Sequence, residues 1–243
     1  MTHRPQAPIL LVDDEPANLL ALEAVLEQLG EPLVRATSGQ QALRELRDRD
    51  FAAVLLDVRM PGMGGFEAAR LIRAQRRSRG TPIIFITADA SAVSIEEAYA
   101  LGAVDFLAKP LSPAVLKGKV SFFVELHRSK KELEAAERQA VQDRAFLAAV
   151  LEAVEDGIVA CDAQGSLTLF NRASREFHGL GESADPRSQR DVLYAALYAQ
   201  DGRTPLGPEQ IPLLRALAGE QLHEAPMVVK PEGGKARSVL ASG

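Results

Sequence analysis

Val54-Leu55-Leu56-Asp57-Val58-Arg59-Met60-Pro61-Gly62 is the stretch that decides the fold of the first half of this chain. An apolar run that begins at Phe51 ends in a carboxylate, and Pro61-Gly62 then turns the chain. A continuous apolar run bounded by turn signals is typical of a strand buried on both faces, as in a parallel sheet. In open α/β sheets, sites gather at the carboxyl ends of the strands. Asp57 is therefore predicted at the mouth of a buried strand, where a carboxylate either caps the next helix or reacts.

Composition narrows the class of protein. The chain has 243 residues, of which 47% are hydrophobic and 25% charged, and its net charge is −5. The negative charge argues against a nucleic-acid partner. No apolar run approaches the roughly 18 residues of a membrane span, and the N-terminus shows no signal-peptide pattern. Cys161 is the single cysteine, which excludes an internal disulfide and favours a cytoplasmic location.

Further apolar runs surround the central one and alternate with helical patterns. The runs cover residues 9–12, 33–36, 82–86 and 104–107, and helical spacing fills the intervals, including residues 94–101. Strands that alternate with helices predict a doubly wound, five-stranded parallel sheet of the flavodoxin-like α/β class.

Chemically active side chains follow these strands. Asp13 and Asp14 end the first strand, Asp57 the third, Thr87 the fourth and Lys109 the fifth. Parallel strands bring these ends to one edge, where three carboxylates would repel unless a cation shared the site. A hard divalent cation with oxygen ligands suits them. A lysine and a hydroxyl beside a nucleophilic carboxylate predict phosphoryl transfer. Taken singly, the same residues would serve as helix caps or solvated charges.

The motifs as a set resemble the response-regulator receiver (CheY-like) domain. They are Asp13-Asp14, Asp57 with Met60-Pro61-Gly62, Thr87-Ala88 and Lys109-Pro110. The resemblance implies that Asp57 is the phosphoacceptor. It also implies that Asp14, Asp57 and the backbone carbonyl of Arg59 hold Mg²⁺ (or Mn²⁺), with Asp13 assisting.

The same resemblance implies a switch. Lys109 would pair with the phosphoryl group, Thr87 would turn to bond it, and Phe106 would follow inward in place of the tyrosine that is common in this family. Arg59 and Asp89 flank the site at positions that tune the lifetime of the phosphoryl group.

A long helical pattern follows the receiver-like region. Residues 121–155 contain no proline or glycine, which predicts one continuous helix. Leu126, Leu133, Ala140, Leu147 and Val154 recur every seven residues. This spacing favours a weak coiled-coil seam and a homodimer, although a solvated helix that bridges two domains would show the same pattern. Ser129 and Asp143 interrupt the companion positions.

The second half is predicted to contain two hairpins separated by helices. The first hairpin joins residues 158–161 and 166–170, and the second flanks Glu232-Gly233-Gly234. Phe170-Asn171-Arg172-Ala173 and the helix from Pro212 to Gly219 complete a resemblance to the PAS family, an α+β fold with an antiparallel sheet. The family's last strand would follow Gly243, so a fragment of a longer protein is expected. Cys161, His178 and His223 are interpreted as core or surface residues, and a PAS ligand is unidentified.

Together these patterns predict a receiver at residues 1–127, a helical linker at 128–149 and a PAS domain at 150–243. The leading hypothesis is phosphorelay signalling, in which Asp57 accepts a phosphoryl group from a histidine kinase or phosphotransfer protein. A second hypothesis, motivated by the incomplete end of the PAS-like region, places the catalytic domain of a hybrid sensor histidine kinase or a diguanylate cyclase beyond residue 243. The 243 residues themselves show no catalytic output motif. A transcription factor is disfavoured, since no recognition helix with a basic face is visible.

Overall fold

The computed structural model describes residues 5–88, 104–181 and 190–243. The chain divides into two compact units, residues 1–138 and 139–243, and one helix continues across that division. The helix predicted at 94–101 and Asp89 lie outside the described residues. No helix in the described ranges combines the length and the apolar character that a membrane crossing requires.

The first unit contains the predicted five-stranded parallel sheet. Its strands are β1 (Ile9–Val12), β2 (Leu33–Ala36), β3 (Ala53–Asp57), β4 (Ile83–Thr87) and β5 (Asp105–Ala108). They pair in the order β2-β1-β3-β4-β5, and every pairing is parallel. Every residue of β1, β3 and β4 is buried, which explains why these strands are continuous apolar runs in the sequence.

Helices cover both faces of this sheet and bury a core on each. They are α1 (Pro16–Leu26), α2 (Gly39–Asp48), α3 (Gly65–Ala74) and α4 (Pro113–Ala153). Side chains of α2 and α3 pack on one face and those of α1 and α4 on the other. Local signals start the helices: Pro16 occupies the first turn of α1, and the Ser38 hydroxyl accepts the Gln41 N–H at 3.2 Å. The sheet is therefore doubly wound, as predicted.

The 41-residue helix α4 is continuous, as the absence of proline and glycine from residues 121–155 predicts, and it ends at Ala153, two residues before the end of that stretch. Leu116, Val120 and Val124 bury its first turns against the sheet. The next turn is held by ion pairs, from Arg128 to Glu31 and from Lys131 to Asp50. Helix α4 thus stays attached to the first unit beyond the point where its apolar contacts end.

The second unit contains both predicted hairpins. Strands β6 (Val159–Cys161) and β7 (Leu167–Phe170) form an antiparallel pair, and β8 (Leu197–Tyr198), β9 (Ala225–Val229) and β10 (Arg237–Ala241) form a second antiparallel sheet in the order β10-β9-β8. The helices are α5 (Arg172–Phe177), α6 (Arg190–Ala195) and α7 (Pro212–Leu217), with short 3-10 turns at Glu27–Leu29 in the first unit and Pro208–Gln210 in the second.

Asn171 fixes the start of the second unit. Its side-chain oxygen accepts the N–H groups of Ser174 and Ile158 at 3.1 and 2.8 Å, and its amide nitrogen donates to the carbonyls of Leu151 and Asp156 at 3.0 and 2.9 Å. Asn171 therefore caps α5 and also ties the end of α4 to the first hairpin.

One helix was predicted too long. The sequence pattern gives a helix over residues 192–199, but α6 ends at Ala195 and the chain then forms β8. Leu197 is buried and pairs with Val229, while the carbonyl of Ala196 accepts the Lys230 N–H at 2.7 Å. Pairing with a distant strand overrides a local helical pattern at this point.

Candidate functional site

The parallel sheet brings the predicted site residues to one edge. Asp13 follows β1, Asp57 ends β3, Thr87 ends β4 and Lys109 follows β5. Asp13, Asp57 and Thr87 are 1%, 5% and 1% exposed. The Lys109 N–H donates to the Thr87 carbonyl at 2.7 Å, which extends the β4–β5 pairing to the site. The site thus lies at the carboxyl ends of adjacent parallel strands.

Lys109 joins the two buried carboxylates. Its Nζ lies 3.0 Å from Asp13 Oδ2 and 2.7 Å from Asp57 Oδ1. The Lys109–Pro110 peptide bond is cis. With both carboxylates ionised, one shared ammonium group leaves the trio with one net negative charge, and a further cation bound here would compensate it.

Burial and ion pairing set the charge states in opposite directions. Burial raises the pKa of the Asp57 carboxyl, and although contact with Lys109 opposes this shift, the neighbouring Asp13 adds to it. For Lys109, burial lowers the pKa of the ammonium, but the hydrogen bonds that it donates to Asp57 and Asp13 outweigh this effect, and the pKa is raised. Lys109 therefore stays charged, while the ionised form of Asp57 is disfavoured by its surroundings.

Asp57→Asn should raise the free energy of unfolding at neutral pH in metal-free buffer. A carboxyl whose pKa is raised in the fold contributes stability that is present below its unfolded pKa and lost as pH rises through the folded pKa. The gain in stability of the variant over wild type should therefore be smallest below about pH 3.8, the ordinary pKa of an aspartate carboxyl, and should grow as the pH rises through the raised pKa of Asp57. Urea unfolding over a pH series measures it, and a difference that does not change with pH would contradict the assignment.

The loop after β3 shapes the surroundings of Asp57. The Arg59 N–H donates to Asp57 Oδ2 at 2.9 Å, and the Gly65 N–H donates to the Val58 carbonyl at 2.9 Å. A Cβ atom on Gly65 would lie 2.3 Å from the Asp57 carbonyl oxygen. Only glycine therefore lets the start of α3 pack against the chain at Asp57, a requirement that sequence reasoning missed.

The two predicted switch residues occupy suitable positions. Thr87 is buried at the end of β4, and Phe106 is half-buried on β5, where it packs against the core between the sheet and helices α2 and α3. Their motion on phosphorylation stays a prediction.

The carboxylate oxygens at this edge of the sheet are suitable ligands for a hard cation. Asp13 and Asp57 present carboxylate oxygens in the site, and Asp14 is exposed at the end of β1. Oxygen donors are the ligands that Mg²⁺ prefers. Among the described residues, no three acidic, histidine or cysteine side chains converge at metal-binding distances.

Asn18 is a site residue that the sequence patterns did not reveal. Its side-chain nitrogen lies 2.9 and 3.0 Å from the two oxygens of Asp13. The available signal was a primary amide in the first turn of α1, five residues after an aspartate at a strand end.

In the second unit, the candidate ligand residues occupy structural positions. Cys161 is partly buried against the cluster that contains Leu167 and Phe170. His178 Nδ1 lies 2.9 Å from the Ser174 carbonyl oxygen, and burial lowers the pKa of its imidazole. His223 is exposed.

Known proteins match the first half of the chain. Residues 9–121 match the family described as the response regulator receiver domain. The sensor protein GacS of Pseudomonas syringae pv. syringae is 39% identical over 107 residues, which make up 43% of this chain and 12% of GacS. The kinase BarA of Shigella flexneri is 38% identical over 103 residues, 42% of this chain and 11% of BarA. This chain thus spans only a small part of these two curated relatives.

A solved structure that is similar to this chain is the receiver domain of a sensor histidine kinase from Pseudomonas aeruginosa PAO1, which has a magnesium ion coordinated in its active-site cleft. It is 36% identical, covers 50% of this chain and 99% of its own, and has a TM-score of 0.46. From the family match and the sheet order together, the first half of this chain is a response regulator receiver domain, homologous to segments of sensor histidine kinases.

Proposed function

We propose that the receiver acts in a two-component phosphorelay, with Asp57 accepting a phosphoryl group from the phosphohistidine of a histidine kinase or phosphotransfer protein. The observation that carries this proposal is the contact of Lys109 Nζ with Asp57 Oδ1 and Asp13 Oδ2 at the carboxyl edge of the sheet. A cation held against a nucleophilic carboxylate suits phosphoryl transfer, because it can stabilise the charge on the phosphoryl oxygens.

The transfer is an in-line displacement. An oxygen of Asp57 attacks phosphorus, the bond between phosphorus and the donor's imidazole nitrogen breaks, and its electron pair stays on that nitrogen, which takes a proton from solvent. Lys109 stabilises the charge on the equatorial oxygens, and the Thr87 hydroxyl donates to one of them once the group is in place. The product is an aspartyl phosphate and a neutral imidazole.

Mg²⁺ (or Mn²⁺) would be held by Asp14, Asp57 and the backbone carbonyl of Arg59, with Asp13 assisting through water. Receiver domains bind Mg²⁺ in the active site, and the donor atoms here are all oxygens. When bound, the cation would neutralise negative charge on the phosphoryl oxygens.

Asp57→Asn should abolish uptake of a phosphoryl group from a small-molecule donor such as acetyl phosphate in excess Mg²⁺. An amide oxygen is too weak a nucleophile to replace the carboxylate. Intact-protein mass spectrometry measures the added mass, and Asp48→Asn, an exposed aspartate on α2, is the matched control that should react as wild type does. Unchanged uptake by Asp57→Asn would overturn the proposal.

We propose that the chain consists of a receiver at residues 1–127, a linker at 128–149 and a PAS-like module at 150–243. The PAS-like module would receive the signal or pass it on. Two antiparallel hairpins separated by helices support this division. Cys161 and His178 are partly buried and His223 is exposed, and the ligand of this module stays unidentified.

We further propose that the linker helix α4 mediates a homodimer. Along this helix, large apolar side chains stay exposed at the repeat positions found in the sequence: Phe122, Leu126, Leu133, Leu147 and Val150 are 64%, 54%, 61%, 59% and 43% exposed. A second copy of the same helix presents the same spacing and would cover them. Burial of each leucine would stabilise the pair by about 1.5–3 kcal/mol before the entropy of association is subtracted.

Leu133→Lys combined with Leu147→Lys should convert a dimer into a monomer. The matched control is Val141→Lys, which alters an exposed position (69%) one residue outside the repeat and should keep the wild-type mass. Light scattering in Mg²⁺, with and without beryllofluoride as a phosphoryl mimic, measures molar mass. A wild-type monomer in both states would leave α4 as a plain spacer.

A second candidate function is supported by the identity of the relatives. BarA is named as a signal transduction histidine-protein kinase and GacS as a sensor protein, and the matched segment is a small part of each. This chain would then be the regulatory part of a hybrid sensor histidine kinase. Reading the gene past codon 243 decides between a kinase domain in the same frame and a protein that ends without one.

A further inference from the structure

The side chain of Asp13 is held much more completely than that of Asp57. Its Oδ1 accepts the Glu15 N–H at 2.9 Å and the Asn18 amide at 2.9 Å, and its Oδ2 accepts the Asn18 amide at 3.0 Å and Lys109 Nζ at 3.0 Å. A carboxylate offers about four acceptor positions. Three protein groups thus make four contacts with the carboxylate of Asp13, which is 1% exposed.

Asp57 has fewer partners in the described part of the chain. Its Oδ1 accepts from Lys109 Nζ at 2.7 Å and its Oδ2 from the Arg59 N–H at 2.9 Å, so about two of its four acceptor positions remain. The two carboxylates that Lys109 joins thus differ in kind. The Asp13 carboxylate is held by several protein donors, whereas the Asp57 carboxylate keeps lone pairs that can react.

Asn18 is placed by the first turn of α1. Pro16 is the first helical residue, and the Asn18 N–H donates to the Glu15 carbonyl at 3.1 Å. The half-buried side chain of Asn18 then reaches back to the end of β1 and spans both oxygens of Asp13. A neutral amide can orient the Asp13 carboxylate by hydrogen bonds, and it competes less with the Lys109 ammonium for that carboxylate than a second cation would.

We infer that Asn18 is a positioning residue for phosphoryl transfer. Its amide fixes the orientation of Asp13, and Asp13 in turn holds the Lys109 ammonium against Asp57. Lysine carries its charge on a flexible four-carbon stem, so a second anchor at Asp13 keeps that charge beside Asp57, where the phosphoryl oxygens arrive. This inference rests on the proposed function of Asp57.

A double-mutant cycle on phosphorylation by acetyl phosphate tests it. The variants are Asn18→Leu, which has similar size and no donor, Asp13→Asn, and the two combined. In the wild-type background Asn18→Leu should lower the maximum rate by about tenfold, with the half-saturating donor concentration unchanged. In the Asp13→Asn background it should lower the rate by less than about twofold, because a residue that acts through Asp13 has nothing left to position.

Controls separate positioning from folding. Leu20→Ala changes an exposed residue (61%) of the same helix and should leave the rate unchanged. If Asn18→Leu does not fold, Asn18→Ser replaces it, since serine is too short to reach Asp13. If Asp13→Asn leaves no measurable rate, the same cycle is read from Mg²⁺ dissociation constants by calorimetry.

The outcomes are distinct. A loss that is equal in both backgrounds, no loss in either, or an equal loss in Leu20→Ala would overturn the role of Asn18. None of these results would affect the assignment of Asp57 as the phosphoryl acceptor. That assignment is wrong only if Asp57→Asn still takes up the phosphoryl group.

Discussion

Lys109→Met should slow phosphorylation of Asp57 by about a hundredfold or more in saturating Mg²⁺ and acetyl phosphate. Lys109 Nζ is the cation that contacts Asp57, at 2.7 Å, and only 27% of its side chain is exposed. Methionine keeps the length of the side chain but removes the charge that would meet the phosphoryl oxygens. Removal of one fixed donor from a charge-stabilising site typically costs a factor of this size. Rapid-quench kinetics with mass detection of the phosphorylated protein measures the rate.

The matched control is Lys117→Met on helix α4. Lys117 Nζ contacts only an uncharged partner among the described residues, Gln28 Oε1 at 2.8 Å, so its loss should leave the rate within about twofold of wild type. A Lys109→Met variant that reacts as fast as Lys117→Met would show that Lys109 is a structural partner of the carboxylates and takes no part in the transfer.

Arg128→Met should lower the free energy of unfolding of the first unit by about 3 kcal/mol. Glu31 is buried, pairs with Arg128, and accepts the Ala7 N–H at 2.9 Å, while Arg128 Nε donates to the Pro5 carbonyl at 3.2 Å. Without Arg128, an unpaired carboxylate remains in the interior. Loss of one partner of a buried ion pair is costly for this reason, whereas replacing both partners is often tolerated.

Replacing Glu31 as well should therefore restore part of the free energy of unfolding that Arg128→Met loses. Arg128→Met with Glu31→Gln should be more stable than Arg128→Met alone, and urea unfolding of the four proteins gives the coupling energy. Lys130→Met is the control two residues away, because Lys130 is 72% exposed on its side chain and lies 4.0 Å from Glu134. Its loss should change stability by less than about 0.5 kcal/mol. Equal losses for Arg128→Met and Lys130→Met would mean that the pair does not hold α4.

The sequence was most informative where one local pattern had one structural outcome. Apolar runs such as Val54–Leu56 could only be buried strands once turn signals bounded them, and the parallel order then placed Asp13, Asp57 and Lys109 together. Residues 121–155 could be predicted as one helix because nothing in them interrupts a helix. These features depend on neighbours in sequence or on a rule for parallel sheets.

Features that depend on contacts between distant segments could not be predicted. Strand β8 exists because Leu197 pairs with Val229, and no local pattern at Leu197 distinguishes it from the preceding helix. The requirement for glycine at position 65 arises from the carbonyl of Asp57, which lies against it. Asn18 resembles any polar residue of an exposed helix turn until the fold brings it to Asp13. Side-chain partners, unlike strand order, are set by three-dimensional packing.

The central claim is that Asp57 carries the phosphoryl group, and the most direct measurement locates that group on the chain. The protein is phosphorylated with acetyl phosphate and Mg²⁺, the acyl phosphate is reduced with borohydride, and the digested peptides are sequenced by mass spectrometry. We expect one modified residue, Asp57, in the peptide that contains Met60-Pro61-Gly62. Modification at Asp13, Asp14 or any other carboxylate, with Asp57 unmodified, would contradict the account.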